Sequence, residues 1–325
     1  MWPDRQNETP SLASEKVAPR IAVIIPCYNE AVTIAKVVKD FQAALPGAQI
    51  YVFDNNSKDE TAQIARDAGA IVRSELQQGK GHVVRRMFAD VEADIYLMVD
   101  GDDTYDASVA ATLIELLKRN HVDMVVGTRS NVTKDAGREG HAFGNQLFNK
   151  MYGHLFGRQF SDIFSGYRVF TRRFAKSFPA VSSGFEIETE MSVHCSQLGI
   201  PTLERPTIYG VRPEDSHSKL RTFRDGFRIL GMFATLAKET RPAAFFGAIG
   251  LALIVLATIL ATPLFMTYFE TGLVPRFPTA ILAMGLVITA SISAVCGLIL
   301  DSLARARTEA KRAVFLSYPA QDWTK

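Results

Sequence analysis

The chain has 325 residues, with 36 Lys and Arg against 34 Asp and Glu for a formal net charge of +2. No global field therefore favours nucleic acid, and none is expected as a partner. Residues 242–269 and 277–300 carry no charge, and each run is long enough to cross a hydrocarbon core of about 30 Å, which takes about 20 helical residues. Two such runs exclude an ordinary soluble enzyme, and the long charge-balanced stretch before Arg241 excludes a polytopic transporter.

Residues 1–19 are polar, lack an apolar core segment and read as a flexible leader rather than a signal peptide. Ile21 to Ile25 is a β-branched apolar run that fits a buried parallel strand ending at Pro26. Helical spacing follows at Ile34, Val37, Val38 and Phe41, up to the Pro46-Gly47 break. Strands are expected at Ile50–Phe53, Ala70–Val72, Ile95–Val99 and Met124–Val126. Helices are expected between them, from Ser57 or Lys58 to Gly69, from about His82 to Glu92 and over residues 107–119, with a later one over 185–198. Strands separated by helices of this length imply right-handed crossovers and an α/β fold with a mostly parallel central sheet.

In such sheets ligands bind at the carboxyl ends of the strands, where the polar clusters of this chain fall. These are Pro26-Cys27-Tyr28-Asn29-Glu30, Asp54-Asn55-Asn56-Ser57, Gly79-Lys80-Gly81 and Asp100-Gly101-Asp102. Gly-x-Gly-x-x-Gly and the phosphate loop of nucleotide triphosphatases are both absent. Two carboxylates as close as Asp100 and Asp102 repel, and a hard divalent cation, Mg2+ or Mn2+, is the usual remedy. The plainer reading is a turn in which Asp103 or Asp106 caps the next helix. Cys27, Cys195 and Cys296 are too few and too scattered for a disulfide framework or a zinc site. The six histidines lack metal spacing and read as surface or packing residues.

Taken in this order, the four clusters resemble the inverting family 2 glycosyltransferases of the GT-A fold, over roughly residues 20–220. With the two apolar runs the likeness narrows to the polyprenyl-phosphate branch, similar to dolichol-phosphate mannose synthases and undecaprenyl-phosphate glucosyltransferases. The resemblance implies that Pro26, Tyr28, Glu30, Asp54 and Asn55 hold the nucleobase and ribose, and that Asp100 and Asp102 serve metal and diphosphate. It implies a nucleotide-sugar donor, with a UDP-sugar favoured and GDP- or dTDP-sugars as alternatives, and a polyprenyl phosphate acceptor. Relatives often have Asp where this chain has Asn55; an amide both donates and accepts, while a carboxylate only accepts.

Further on, Gly127-Thr128-Arg129, Asp162-x-x-Ser165-Gly166-Tyr167-Arg168, Arg212 and Ser218-Lys219 continue the likeness. Arg129, Arg168, Arg212, Ser218, Lys219 and Lys80 are therefore expected to meet donor or acceptor phosphates, as a guanidinium fork or an ammonium can. Glu186, Glu188 and Glu190 suit the start of a helix; Glu188 faces another side, and the resemblance implies that it serves as base if the acceptor is a hydroxyl. Apolar stripes lie at 143–156 and 223–236. The second, beside Arg221, Arg224 and Arg228, has the pattern of a helix in the headgroup plane; it can pack on lipid or on a second copy, so a homo-oligomer is among the expectations.

The expected organisation is thus a leader over 1–19, a catalytic domain over 20–218 and a juxtamembrane helix over 219–241. A two-helix transmembrane hairpin over 242–301 and a tail over 302–325 follow. Basic residues outside both runs place the catalytic domain and both termini in the cytoplasm, at the inner or plasma membrane. A hydroxyl acceptor, in a glycolipid or polysaccharide, and an inactive membrane scaffold are the competing readings. Against a processive synthase stand the two spans and the absence of Gln-x-x-Arg-Trp, Trp2 and Trp323 being the only tryptophans.

Overall fold

The computed structural model describes residues 18–130, 160–210 and 238–323, with the isolated positions 153, 231 and 235. Arg212, Ser218, Lys219, most of the expected juxtamembrane helix, the stripe at 143–156 and nearly all of the leader lie outside the described residues.

The chain alternates β1 (Ile21–Cys27), α1 (Ile34–Ala44), β2 (Gln49–Asp54), α2 (Thr61–Asp67), β3 (Ile71–Ser74), α3 (Lys80–Asp90) and β4 (Ile95–Met98). A 3-10 turn (Ala107–Val109) then leads into α4 (Ala110–Arg119) and β5 (Met124–Ser130). Next come β6 (Arg168–Thr171), α5 (Arg172–Ser177), α6 (Ile187–Leu198) and β7 (Thr202–Ile208). The seven strands form one sheet in the order β3-β2-β1-β4-β6-β5-β7. All neighbours run parallel except β6, which is antiparallel to both β4 and β5.

The central strands are apolar at nearly every position because both faces are covered. Ala22 and Ile24 of β1 join a core with Met87 and Phe88 of α3, Phe174 of α5 and Met191 of α6. Val23, Ile25 and Cys27, on the opposite face, join Val38 and Phe41 of α1 and Leu113 and Leu117 of α4. The expected mostly parallel α/β sheet is present, but β6, β7 and α5 were not anticipated. β5 also runs on to Ser130, so Arg129 lies within a strand rather than after one.

Two helices follow, α7 (Pro242–Thr271) and α8 (Phe277–Ser317), and both are long and apolar enough to cross a membrane. They pair through small residues spaced by seven: Gly250 and Ala257 on α7, and Ala283, Ala290 and Gly297 on α8, are buried while most of the large apolar side chains between them are exposed. A Cβ on Gly250 would lie 3.2 Å from the Ala290 carbonyl, and one on Gly297 would lie 3.1 Å from the Phe246 Cβ. The Ser293 hydroxyl donates to the Phe246 carbonyl at 2.9 Å across the pair. Close backbone approach through small residues is how helices associate in lipid, where no hydrophobic force drives them together. α8 does not stop at Asp301, where the uncharged run ends, but continues as one helix to Ser317.

Candidate active site

Parallel pairing of β3, β2, β1 and β4 brings their carboxyl ends to one edge, and hydrogen bonds lace the loops that leave it. The Asn29 amide donates to the Ser57 hydroxyl at 2.9 Å, and the Asn29 side chain accepts from the Lys58 amide at 2.8 Å. The Thr33 hydroxyl donates to the Gly101 carbonyl at 2.6 Å, tying β1's loop to β4's. Asn29, Asn56 and Asp103 hold φ of 52°, 61° and 59°, the left-handed region that Asn and Asp enter more readily than other side chains. Pro26 and Tyr28 are half-buried at the end of β1, and Glu30 is buried beneath Gly101.

Asp54 ends β2, buried, with Oδ2 accepting from the Ser57 amide at 3.3 Å. Its Oδ1 is buried with no hydrogen-bond partner among the described residues. An orphaned carboxylate oxygen is costly unless a ligand donates to it, so this atom fits a nucleoside hydroxyl or base N–H. Asn55 does different work from the base contact its resemblance implied. Its amide donates to the Glu75 and Gln77 carbonyls at 3.0 and 2.7 Å, and its carbonyl accepts from the Gly79 amide at 2.7 Å and Gln78 Nε2 at 3.3 Å. The side chain is spent on shaping the loop into α3, and a carboxylate could not make the two donations.

That loop delivers Gly79-Lys80-Gly81. A Cβ on either glycine would collide with the backbone carbonyls of Ser183 or Ser182, and the Gly81 amide donates to the Ser183 carbonyl at 3.1 Å. Close approach to this second loop, which leads into α6, accounts for both glycines. Lys80 between them turns inward. Its ammonium contacts Asp100 Oδ1 and lies 2.5 Å from Glu188 Oε1, with only 9% of the side chain exposed. Burial alone would lower the lysine pKa, but the charges of Asp100 and Glu188 outweigh it and hold the ammonium above its ordinary value. Glu188 is pushed up by burial and by Asp100, against the pull of Lys80. Its neighbours point elsewhere: Glu190 accepts from the Val181 and Ser182 amides, and Glu186 from the Gly184 amide.

Asp100 leaves β4 with its carboxylate pressed on Gly166, where a Cβ would sit 2.6 Å from Oδ2. Asp102 is 2% exposed, and its Oδ1 accepts from the Thr104 amide at 3.2 Å and hydroxyl at 2.5 Å. Asp106, not Asp103, caps the following turn, accepting from the Ser108 amide at 2.8 Å. Among the described residues no three His, Cys, Asp or Glu side chains gather as a metal cage. The donor set on offer is one or two carboxylates at an open sheet edge, which suits an ion that takes its remaining ligands from phosphates and water.

Two further cations expected at phosphates are, like Lys80, held by the protein. Arg129 forms a fork on Asp162, Nε to Oδ2 at 2.8 Å and Nη2 to Oδ1 at 2.7 Å, and lies 5.7 Å from the Tyr209 ring centre. Burial raises Asp162, but the guanidinium overcomes this and holds it below the usual carboxylate range. Arg168 corrects the expectation more fully: it is completely buried, donating to the Ser165 and Ile163 carbonyls at 2.8 and 3.0 Å and to the Ser192 hydroxyl at 3.1 Å. It pins the Ser165-Gly166 turn behind Asp100, and no phosphate reaches it. Sequence reasoning missed Gly166 as the floor under Asp100 and Ser182-Ser183 as the wall beside Lys80, since neither contact is local in the chain.

Comparison with known proteins agrees with this geometry. The chain is 38% identical over 250 residues to Glycosyltransferase AglJ of Haloferax volcanii, covering 76% of this chain and 81% of that protein. It is 26% identical over 215 residues to a dolichol-phosphate mannosyltransferase of Pyrococcus furiosus, covering 62% and 59%. The fold is shared with glucosyl-3-phosphoglycerate synthase from Mycobacterium tuberculosis, solved with Mn2+, UDP and glucosyl-3-phosphoglycerate, at TM-score 0.55 and 22% identity over 68% of this chain and 80% of that one. The description Glycosyl transferase family 2 matches residues 22–178, the segment that supplies Asp54, Lys80, Asp100 and Asp102. The chain belongs to glycosyl transferase family 2 and is a glycosyltransferase of the GT-A fold.

Proposed function

We propose that the enzyme transfers one sugar from a nucleotide sugar to a polyprenyl phosphate held in the same membrane, with inversion at the anomeric carbon. The observation that carries the acceptor class is the state of Glu188. A hydroxyl acceptor needs a positioned general base, and Glu188 is the candidate that sequence offered. The residue is 4% exposed, with Oε1 engaged by Lys80 and Oε2 buried without a hydrogen-bond partner among the described residues; the depth of this site and the ion pair support a counter-ion to Lys80 rather than a base open to a bulky acceptor. A phosphate monoester, with a second pKa near about 6, arrives with an anionic oxygen and needs no base.

In this reading Asp54 accepts from the nucleoside, and Asp100 and Asp102 hold a divalent ion, Mg2+ or Mn2+. The ion, when bound, stabilises the charge that develops on the departing nucleoside diphosphate. Lys80, fixed between Asp100 and Glu188, adds a positive charge beside the same carboxylate. The acceptor oxygen forms its bond to the anomeric carbon from one face. The bond to the diphosphate breaks on the other, and the diphosphate leaves with the electron pair. The P. furiosus relative named for dolichol phosphate and the two apolar helices support a lipid-borne acceptor. Lys238 and Arg241 before α7, and Arg305, Arg307, Lys311 and Arg312 beyond Asp301, support cytoplasmic placement of the catalytic domain. UDP-sugars remain the favoured donors.

The test is a screen of nucleotide sugars against the full-length enzyme in vesicles containing a polyprenyl phosphate, read as radiolabel in the lipid phase. Label is expected with Mn2+ or Mg2+, absent in EDTA and absent in Asp102→Asn, while Glu188→Gln stays within about tenfold of wild type. Label only in soluble saccharides, with Glu188→Gln folded but dead, overturns the acceptor assignment.

A further inference from the structure

α8 is far longer than a bilayer requires. About 20 residues cross the hydrocarbon core, and the uncharged part ends at Leu300, yet the helix runs unbroken to Ser317. The extra length ends in a seat on the catalytic domain. Arg312 Nη1 donates to the Leu198 carbonyl at 2.6 Å. Leu198 ends α6 before Gly199, which is left-handed with φ of 62°, so Arg312 supplies a donor and a positive charge where a helix leaves its last carbonyls unpaired. Phe315 is 7% exposed and belongs to the same core as Phe174, Phe178 and Met191. The Arg173 guanidinium, itself bonded to Asp123, stands 4.4 Å from the Phe315 ring centre, and Arg172 stands 5.7 Å from that of Tyr318.

We propose that residues 301–317 are a rigid strut, seated through the positioning residues Arg312 and Phe315, that fixes the height and tilt of the active site above the bilayer and thereby selects membrane-held acceptors. At a rise of ~1.5 Å per residue, Arg312 and Phe315 stand ~17 and ~21 Å along the helix from Asp301. The seat is made by α5, through Arg172 and Arg173, and by the carboxyl end of α6 at Leu198; α6 carries Glu188 in its first turn, so the strut also holds the far end of an element that forms one wall of the site. Holding enzyme and lipid phosphate at a fixed separation raises their effective concentration without a new contact to either substrate. This inference rests on the lipid-phosphate acceptor proposed above.

The experiment compares wild type, the pair Arg312→Ala with Phe315→Ala, and an insertion of four alanines after Ala304. The insertion keeps the seat but lengthens the strut by ~6 Å and turns its face by only ~40°. Each is reconstituted in vesicles and assayed with long-chain polyprenyl phosphate and with a short, water-soluble prenyl phosphate. The expected result is a KM for the membrane-held acceptor raised about tenfold or more in both altered forms, with kcat and KM for the soluble acceptor and the affinity for UDP with Mn2+ unchanged. Equal losses on both acceptors mean a merely structural tail, and no loss on either means that the seat is unused; each overturns the strut. A wild type that glycosylates neither phosphate overturns the acceptor reading instead. The strut is then decided by energy transfer from a dye at Glu115→Cys, in a Cys296→Ala background, to headgroup dyes: a distance that the insertion leaves unchanged overturns it, and a longer one sustains it.

Discussion

The candidate-site loops and the apolar helix hairpin both depend on glycines at which a Cβ would meet something, but what comes close differs. At Gly81 and Gly79 it is the backbone of another loop, at Gly166 the carboxylate of Asp100, and at Gly250 and Gly297 the neighbouring helix. In the site, the space freed by a missing side chain is filled by polar groups whose positions matter for chemistry. In the hairpin it is filled by backbone and methylene, and only association is at stake. The same substitution is therefore expected to read out as lost turnover in one region and as loosened packing in the other.

The largest effect is expected at Gly81→Ala, whose Cβ would run into the Ser182 carbonyl, an atom that cannot swing aside. Backbone displacement of this kind costs about 1–3 kcal/mol, and because it moves Lys80 the transfer rate should fall about a hundredfold. Thermal unfolding and turnover of the purified variant check both. Gly166→Ala separates the two consequences. Its Cβ meets the far end of the Asp100 side chain, so unfolding should shift by less than about 1 kcal/mol while turnover drops about tenfold to a hundredfold. A Gly166→Ala enzyme with full activity would break the contrast.

The junction between the regions titrates. His194 on α6 is 2% exposed, lies edge-on to Phe174 and Phe178, and has neither ring nitrogen hydrogen-bonded among the described residues. Burial, with a smaller push from Lys311, lowers its pKa to about 3. The unfolded chain, with an ordinary value near about 6.5, binds the proton more readily, so stability is full above about 6.5 and is lost as pH falls toward about 3. At pH 5 the loss is about 2 kcal/mol. Denaturant unfolding of wild type against His194→Phe should show this slope in the first and not in the second. In the hairpin, Gly297→Leu should separate the helices at a cost of about 1–2 kcal/mol, seen as weakened cross-linking between α7 and α8, with catalysis of a soluble acceptor intact. Gly285→Ala, with nothing within 4 Å of its Cβ, should change stability by less than about 1 kcal/mol in the same assay.

What could be read from sequence divides along physical lines. β1, β2 and β4 are covered on both faces and show as unbroken apolar runs, and the polar clusters mark their carboxyl ends. β7 hid because it is an edge strand carrying Glu204, Arg205 and Pro206, residues a central strand would not hold. β6 hid because four residues opening on a buried arginine look like a surface turn. Lys80, Asp100 and Glu188, which the structure brings together, and Asp54 and Asp102 at neighbouring strand ends were each singled out by residue type and order, on which the likeness rests. The work of Asn55 and Arg168 was not, because most of their partners are backbone groups, and these leave no trace in residue identity. The length of α8 was legible only as far as charge was absent; beyond Asp301 nothing in composition distinguishes a seated helix from a loose tail.

Lys80 has a bearing on how the protein is made. Zinc fingers fold only when their ion arrives, because without it the ligands have nothing to hold them together. Here the chain carries its own counter-ion: the Lys80 ammonium lies against Asp100 and Glu188, so the repulsion between these carboxylates is answered before any ion arrives. On the metal-dependent reading, a chelator stops turnover without unfolding the domain and lowers the melting temperature only by the stabilisation that the bound ion had added, so the enzyme can stand idle in a depleted cell and resume work when the ion returns.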